Sequence, residues 1–267
     1  MPFYPQANDD NNALNFILEQ YNDEREDCPD ITQIALLCPT RRGNIGVISL
    51  NFAIQNIACP LVDTSIAVKD KKHEQLLTHT TKGYPIPGTI YGDSSHWDKF
   101  RIGDIVMNTQ NNPEIETVKY DNNDFFNGKP KDPSIGIYNG DCGRIIAYRP
   151  KQQDIYDDDY PNTIIVQFFD GRVAELDMDT GEFDSFHLGY AMTVHKSQGC
   201  EYQTVIYVSP KSLSYMTESG FACKNLIYTA VTRAKQRVVI IGSKDSLNAC
   251  IQTNIPPKNS NLAERLK

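Results

Sequence analysis

The chain has 267 residues, 40% hydrophobic and 22% charged, enough for one large domain or two smaller ones with buried cores. That balance excludes a chain disordered throughout, and no apolar run reaches the ~20 residues of a membrane helix. The net charge of −8 repels polyphosphate at long range, so contact with nucleic acid has to follow a local basic or amide-lined track.

The start, Met1-Pro2-Phe3-Tyr4-Pro5, lacks a basic region followed by an apolar one, which predicts no secretory signal. Ala13, Leu14, Ile17, Leu18 and Tyr21 recur at helical spacing and predict a helix over Asn8–Glu26. Ile31–Cys38 is short and apolar, as a buried parallel strand is, and Pro39 ends it. Val47–Ile57 returns to helical periodicity, completing the grammar of an α/β sheet. Residues 69–99 read as a connector broken by Gly83, Pro85, Pro87, Gly88 and Gly92, with one short helix near Lys72–Leu77.

From Phe100 to Leu188 the pattern changes to short strands, Arg101–Met107, Gly143–Tyr148, Thr163–Phe169 and Arg172–Leu176. Asp170-Gly171 is a two-residue hairpin signal, and the whole predicts a small all-β module such as a barrel. Asn108–Pro133, rich in Asn, Asp, Lys and Pro, reads as a long, mobile polar loop. A second polar loop covers Pro150–Pro161; its run Asp157-Asp158-Asp159 is a solvated tip, not a metal cage. From Gly189 the α/β grammar returns: helix Ala191–Gln198 stopped by Gly199, strand Val205–Val208, helix Asn225–Lys235, strand Val238–Ile241, and Ser243 capping a helix Lys244–Cys250. The domains are therefore 8–99 and 189–255 as two parts of one α/β domain, an all-β insert at 100–188, and a tail at 256–267. The 7 cysteines are dispersed without a CxxC pair, as in a reduced, cytoplasmic protein.

Two constellations carry chemistry. Ala191-Met192-Thr193-Val194-His195-Lys196-Ser197-Gln198-Gly199-Cys200-Glu201 packs hydroxyls, an imidazole, an ammonium and an amide into two turns ending at a glycine. Such groups grip phosphate oxygens without reading sequence. Composition alone is equally met by an amphipathic helix with a polar face. The second is Tyr228-Thr229-Ala230-Val231-Thr232-Arg233-Ala234, where a lone Arg233 among short side chains has the reach to meet a phosphate or to form a surface ion pair.

In this order, followed by Val238-Val239-Ile240-Ile241-Gly242, the two sets resemble motifs five and six of RecD-like superfamily-1 DNA helicases, with a UvrD-like helicase C-terminal domain. Cys200 stands where a serine is usual. Upstream, Pro39-Thr40-Arg41-Arg42-Gly43-Asn44-Ile45-Gly46 with Leu50-Asn51, Gln55 and Pro60 resembles the fourth motif, and Arg41 or Arg42 is its arginine. Phe100, Gly103-Asp104, Val106-Met107, Asn139-Gly140-Asp141 and Gly143 resemble the SH3-like insert of these helicases, more widely spaced than is usual.

The resemblance implies a RecA-like parallel sheet with helices on both faces, interrupted by an SH3-like barrel. It implies that Thr193, His195, Lys196 and Ser197 hold single-stranded DNA. Gln198, Gly199 and Glu201 would serve the nucleotide, and Arg233 with Arg41 or Arg42 would stabilise charge on the transferring phosphoryl group. The whole would be an ATP-dependent helicase, commonly 5′ to 3′ in direction. Yet the sequence shows no P-loop: Gly83 to Gly88 has the glycine spacing but no Lys, and Thr89 follows Gly88 directly. No Asp-Glu pair follows an apolar strand. ATP and Mg2+ are thus expected only in complex with a separate P-loop RecA-like domain. The competing readings are a non-catalytic module binding nucleic acid or protein, and an inactive remnant.

Overall fold

The computed structural model describes residues 3–4, 10–28, 30–62, 81–92, 97–153, 159–218 and 222–254. The expected helix near Lys72–Leu77, Asp157 and Asp158, and the tail at 256–267 lie outside them. In chain order the elements are β1 (Phe3–Tyr4), α1 (Asp10–Asp27), β2 (Ile34–Cys38) and α2 (Val47–Ala58). Then come β3 (Ile105–Asn108), β4 (Asn112–Lys119), β5 (Ser134–Ile137), β6 (Cys142–Arg149), β7 (Thr163–Phe168), β8 (Arg172–Asp177) and β9 (Phe186–Leu188). The last are β10 (Ala191–Thr193), β11 (Tyr202–Ser209), α3 (Lys224–Val231), β12 (Ala234–Gly242) and α4 (Lys244–Gln252).

The chain divides into two compact units, residues 1–47 with 192–267, and residues 48–191. The first holds a five-stranded sheet in the order β1-β12-β11-β2-β10, and its pairings β1–β12, β12–β11 and β11–β2 are parallel. β2 is buried at every position, as a central parallel strand must be. Helix α1 packs on β12, β11 and β2, and α3 and α4 pack on β11. Ser243 accepts the Ser246 amide and caps α4, as its sequence position predicts. All seven cysteines are free thiols.

The second unit carries most of α2 and a seven-stranded sheet ordered β9-β3-β6-β7-β8-β4-β5, with antiparallel neighbours throughout. The β7–β8 turn closes with the Gly171 amide donating to Phe168 O at 2.9 Å and Gly171 at φ +87°, so it is wider than a two-residue hairpin. The long polar loop expected over Asn108–Pro133 instead holds a strand: β4 lies within it and pairs with β5. Three aromatic residues order the remainder. Tyr120, Phe125 and Phe126 pack on buried Ala147, Ile165 and Val173, with neighbouring ring centroids 5.2 Å apart. Among the described residues, no helix is long and apolar enough to cross a membrane.

A polar network inside this unit fixes α2 to the insert. Buried Asp104 accepts hydrogen bonds from Gln55 Nε2 (2.7 Å), the Arg101 amide (2.7 Å) and the Tyr190 hydroxyl (2.9 Å). Arg101, fully buried, donates to Cys59 O and Asn56 Oδ1, both at 2.8 Å. Burial pushes the Asp104 carboxyl up to about 6, against the pull of its three donors and the Arg101 charge.

Candidate nucleic-acid and phosphate interface

The segment expected as a helix over Ala191–Gln198 is a strand followed by a tight turn. Ala191–Thr193 joins the sheet as β10, and Val194–Ser197 forms one 3-10 turn. β-branched Thr193 and Val194 favour the extended entry, and a sheet edge was available to pair it. Thr193 caps the turn, its hydroxyl oxygen accepting the Lys196 amide at 3.4 Å. Gly199 leaves it at φ +87°, a conformation that a side chain strains.

This geometry sorts the predicted residues. His195, Lys196, Gln198, Gly199, Cys200 and Glu201 are exposed, and Thr193 is half-buried. Ser197 differs from expectation: it is fully buried and its hydroxyl donates to Val194 O at 2.8 Å, so it holds the turn together. Glu201 pairs with Lys235 at 3.2 Å, both side chains more than half exposed, so the pair adds little stability.

Arg233 sits where α3 meets β12. Its Nε donates to Thr229 O (3.2 Å), Nη1 to Cys200 O (3.2 Å) and Nη2 to Thr232 Oγ1 (3.4 Å). The guanidinium therefore joins the carboxyl end of α3, where a cation is favoured, to the residue following Gly199. Its partners are neutral oxygens, and a phosphate oxygen would bind it more strongly than any of them. The Tyr202 amide donates to Arg233 O at 2.8 Å, fixing this arginine at the amino end of β11.

Arg41 and Arg42 are not brought to this place. They follow β2, whose Leu37 lies level with Tyr207, whereas Arg233 lies level with the start of β11 at Tyr202. At about 3.3 Å per residue the two arginine sites stand roughly 20 Å apart, at opposite ends of the sheet. The structure does not bring the two groups to one place: both follow apolar segments in sequence, but only strand direction tells which end each occupies.

Asn51 and Gln55 are the residues whose role sequence reasoning missed. Asn51 Nδ2 donates to Ala191 O (3.0 Å), and its Oδ1 accepts the Ala191 amide (2.8 Å), anchoring the first residue of β10. Polar residues on the otherwise apolar face of α2 were the available signal. Among the described residues, no three His, Cys, Asp or Glu side chains converge as metal ligands.

Residues 188–241 match the UvrD-like helicase C-terminal domain family. Over 100 residues the chain is 38% identical to the ATP-dependent RecD2 DNA helicase of Deinococcus radiodurans, covering 37% of this chain and 13% of that protein. It is 31% identical over 132 residues to the RecBCD enzyme subunit RecD of Mycobacterium tuberculosis, covering 48% and 20%. It is also 27% identical over 259 residues to an uncharacterized protein of Methanocaldococcus jannaschii, covering 95% and 18%. The chain spans about a fifth or less of the length of these relatives. The matched stretch contains both the turn after β10 and the α3–β12 junction.

Proposed function

We propose that this RecD-like superfamily-1 helicase C-terminal region supplies the single-strand grip and the arginine side of an ATP site. The observation that carries the reading is the hydrogen bond from Arg233 to Cys200 O, which ties the motif-six arginine to the motif-five turn. A phosphate drawing Arg233 away from that carbonyl would release the turn bearing His195 and Lys196, and DNA on the turn would bias the arginine in return. Such reciprocity is what coupling between two sites requires.

In this reading Thr193, His195 and Lys196 contact the DNA backbone, with Ser197 bracing the turn from inside. Gln198, Gly199 and Glu201 border the nucleotide, and Arg233 meets the terminal phosphoryl group of ATP. Arg41 and Arg42 lie outside this site. Mg2+ would neutralise phosphate charge from a P-loop domain, whose Lys, hydroxyl and acidic strand this sequence does not contain. The insert is read as SH3-like and translocation as 5′ to 3′ on resemblance, and the protein as cytoplasmic on its dispersed cysteines. An ATPase assay of the 267-residue chain with single-stranded DNA tests the division of labour. Turnover at the background rate is expected, and robust turnover would overturn it.

A further inference from the structure

The stretch that the sequence sets apart as a polar loop builds a cavity distant in sequence from the motif residues. Glu114, Glu116, Val118 and Tyr120 follow one another at alternate positions along β4 and just past its end, and with Val173 and Glu175 of β8 they border a space of about 300 Å³. Ile115 and Glu182 complete its lining. The apolar members suit one aliphatic side chain. The rim carries four carboxylates, two of them already held: Glu175 by Arg149 at 2.8 Å and Glu182 by the Asp177 amide at 2.8 Å. Glu114 and Glu116 are exposed, and neither has a hydrogen-bond or ion-pair partner among the described residues.

We propose that this face docks an extended, cationic protein segment, with Lys or Arg side chains at alternate positions on Glu114 and Glu116 and an aliphatic side chain at the next alternate position over Val118 and Val173. Charge complementarity selects this occupant. Three negative charges in excess of Arg149 repel a phosphate backbone, whereas two cations at alternate positions followed by an aliphatic residue at the next one satisfy both rim and floor. The long stems of Lys and Arg add apolar contact while their heads reach the carboxylates.

The full chain is titrated with a fluorescent Arg-Gly-Arg-Gly-Leu-Gly peptide, its Glu-Gly-Glu-Gly-Leu-Gly counterpart and oligothymidylate. Amide NMR shifts of Val118 and Val173 locate the binding. The basic peptide is expected to bind below about 1 mM and to move those two amides, with no response there to the acidic peptide or the oligonucleotide. The exposed double variant E114Q/E116Q should weaken the peptide roughly tenfold, as removal of two surface ion pairs allows. No binding of the basic peptide by about 1 mM, equal binding to the double variant, or DNA shifting Val118 and Val173 would each overturn the proposal.

Discussion

Arg233 makes three bonds to neutral oxygens, and each is replaceable. With a P-loop RecA-like domain supplied, Arg233→Ala should lower ATP turnover by about 10³ or more while DNA affinity changes far less, through release of the turn alone. Steady-state kinetics with DNA-binding anisotropy measure both, and equal loss of the two would make Arg233 a helix cap alone. Asp104 yields a pH prediction. Its carboxyl is raised to about 6, so the folded unit holds its proton more tightly than the unfolded chain does. Stability from this group is full below about pH 4 and falls as pH rises through about 6, by on the order of 3 kcal/mol. Urea melts at both ends of that window should show this fall in the native chain relative to Asp104→Asn, which lacks the titration. Identical pH dependence in both proteins would contradict it. That Arg233 stands alone among short side chains was legible in the sequence. The burial of Ser197 was not, since a serine between exposed Lys196 and Gln198 gives no sign of facing inward.

Among elements, β10 shows best what the sequence withheld. Ala191–Gln198 has helical spacing, yet pairing with the sheet and the clamp of Asn51 hold its start extended. Asn51→Leu would leave both backbone groups of Ala191 unpaired and should cost about 2–4 kcal/mol in denaturant unfolding. A cost below about 0.5 kcal/mol would mean that β10 needs no such anchor. The hairpin of β4 and β5 was hidden for a different reason. Its exposed positions mix Glu114 and Glu116 with Pro113 and Ile135, so period-2 alternation is faint, and its ordering comes from Tyr120, Phe125 and Phe126 packing across the sheet. The apolar stretches of β2, β11 and β12 were legible because a central parallel strand is buried on both faces over them. At the end of β12, Gly242 has φ +128°, and a Cβ there would collide with Ser209 O. Gly242→Ala should therefore destabilise by about 1–3 kcal/mol in thermal unfolding, and an unchanged midpoint would show that this strand end yields freely.

For the whole molecule, an α/β domain interrupted by an all-β insert was readable from the change and return of hydrophobic period. The placement of Arg41 and Arg42 was not, because the end of a sheet that a loop occupies depends on pairing between strands far apart in sequence. With them set aside, the central claim rests on the turn after β10 as a sequence-independent grip on single-stranded DNA. The most direct measurement is binding of oligothymidylate over a range of salt, in the native chain and in Lys196→Ala. Native binding is expected in the non-specific range of about 10⁻⁴ to 10⁻⁶ M. The slope of log affinity against log salt should fall by about 0.7 in the variant, the amount for one phosphate no longer neutralised. A salt slope unchanged by removing Lys196 would contradict it.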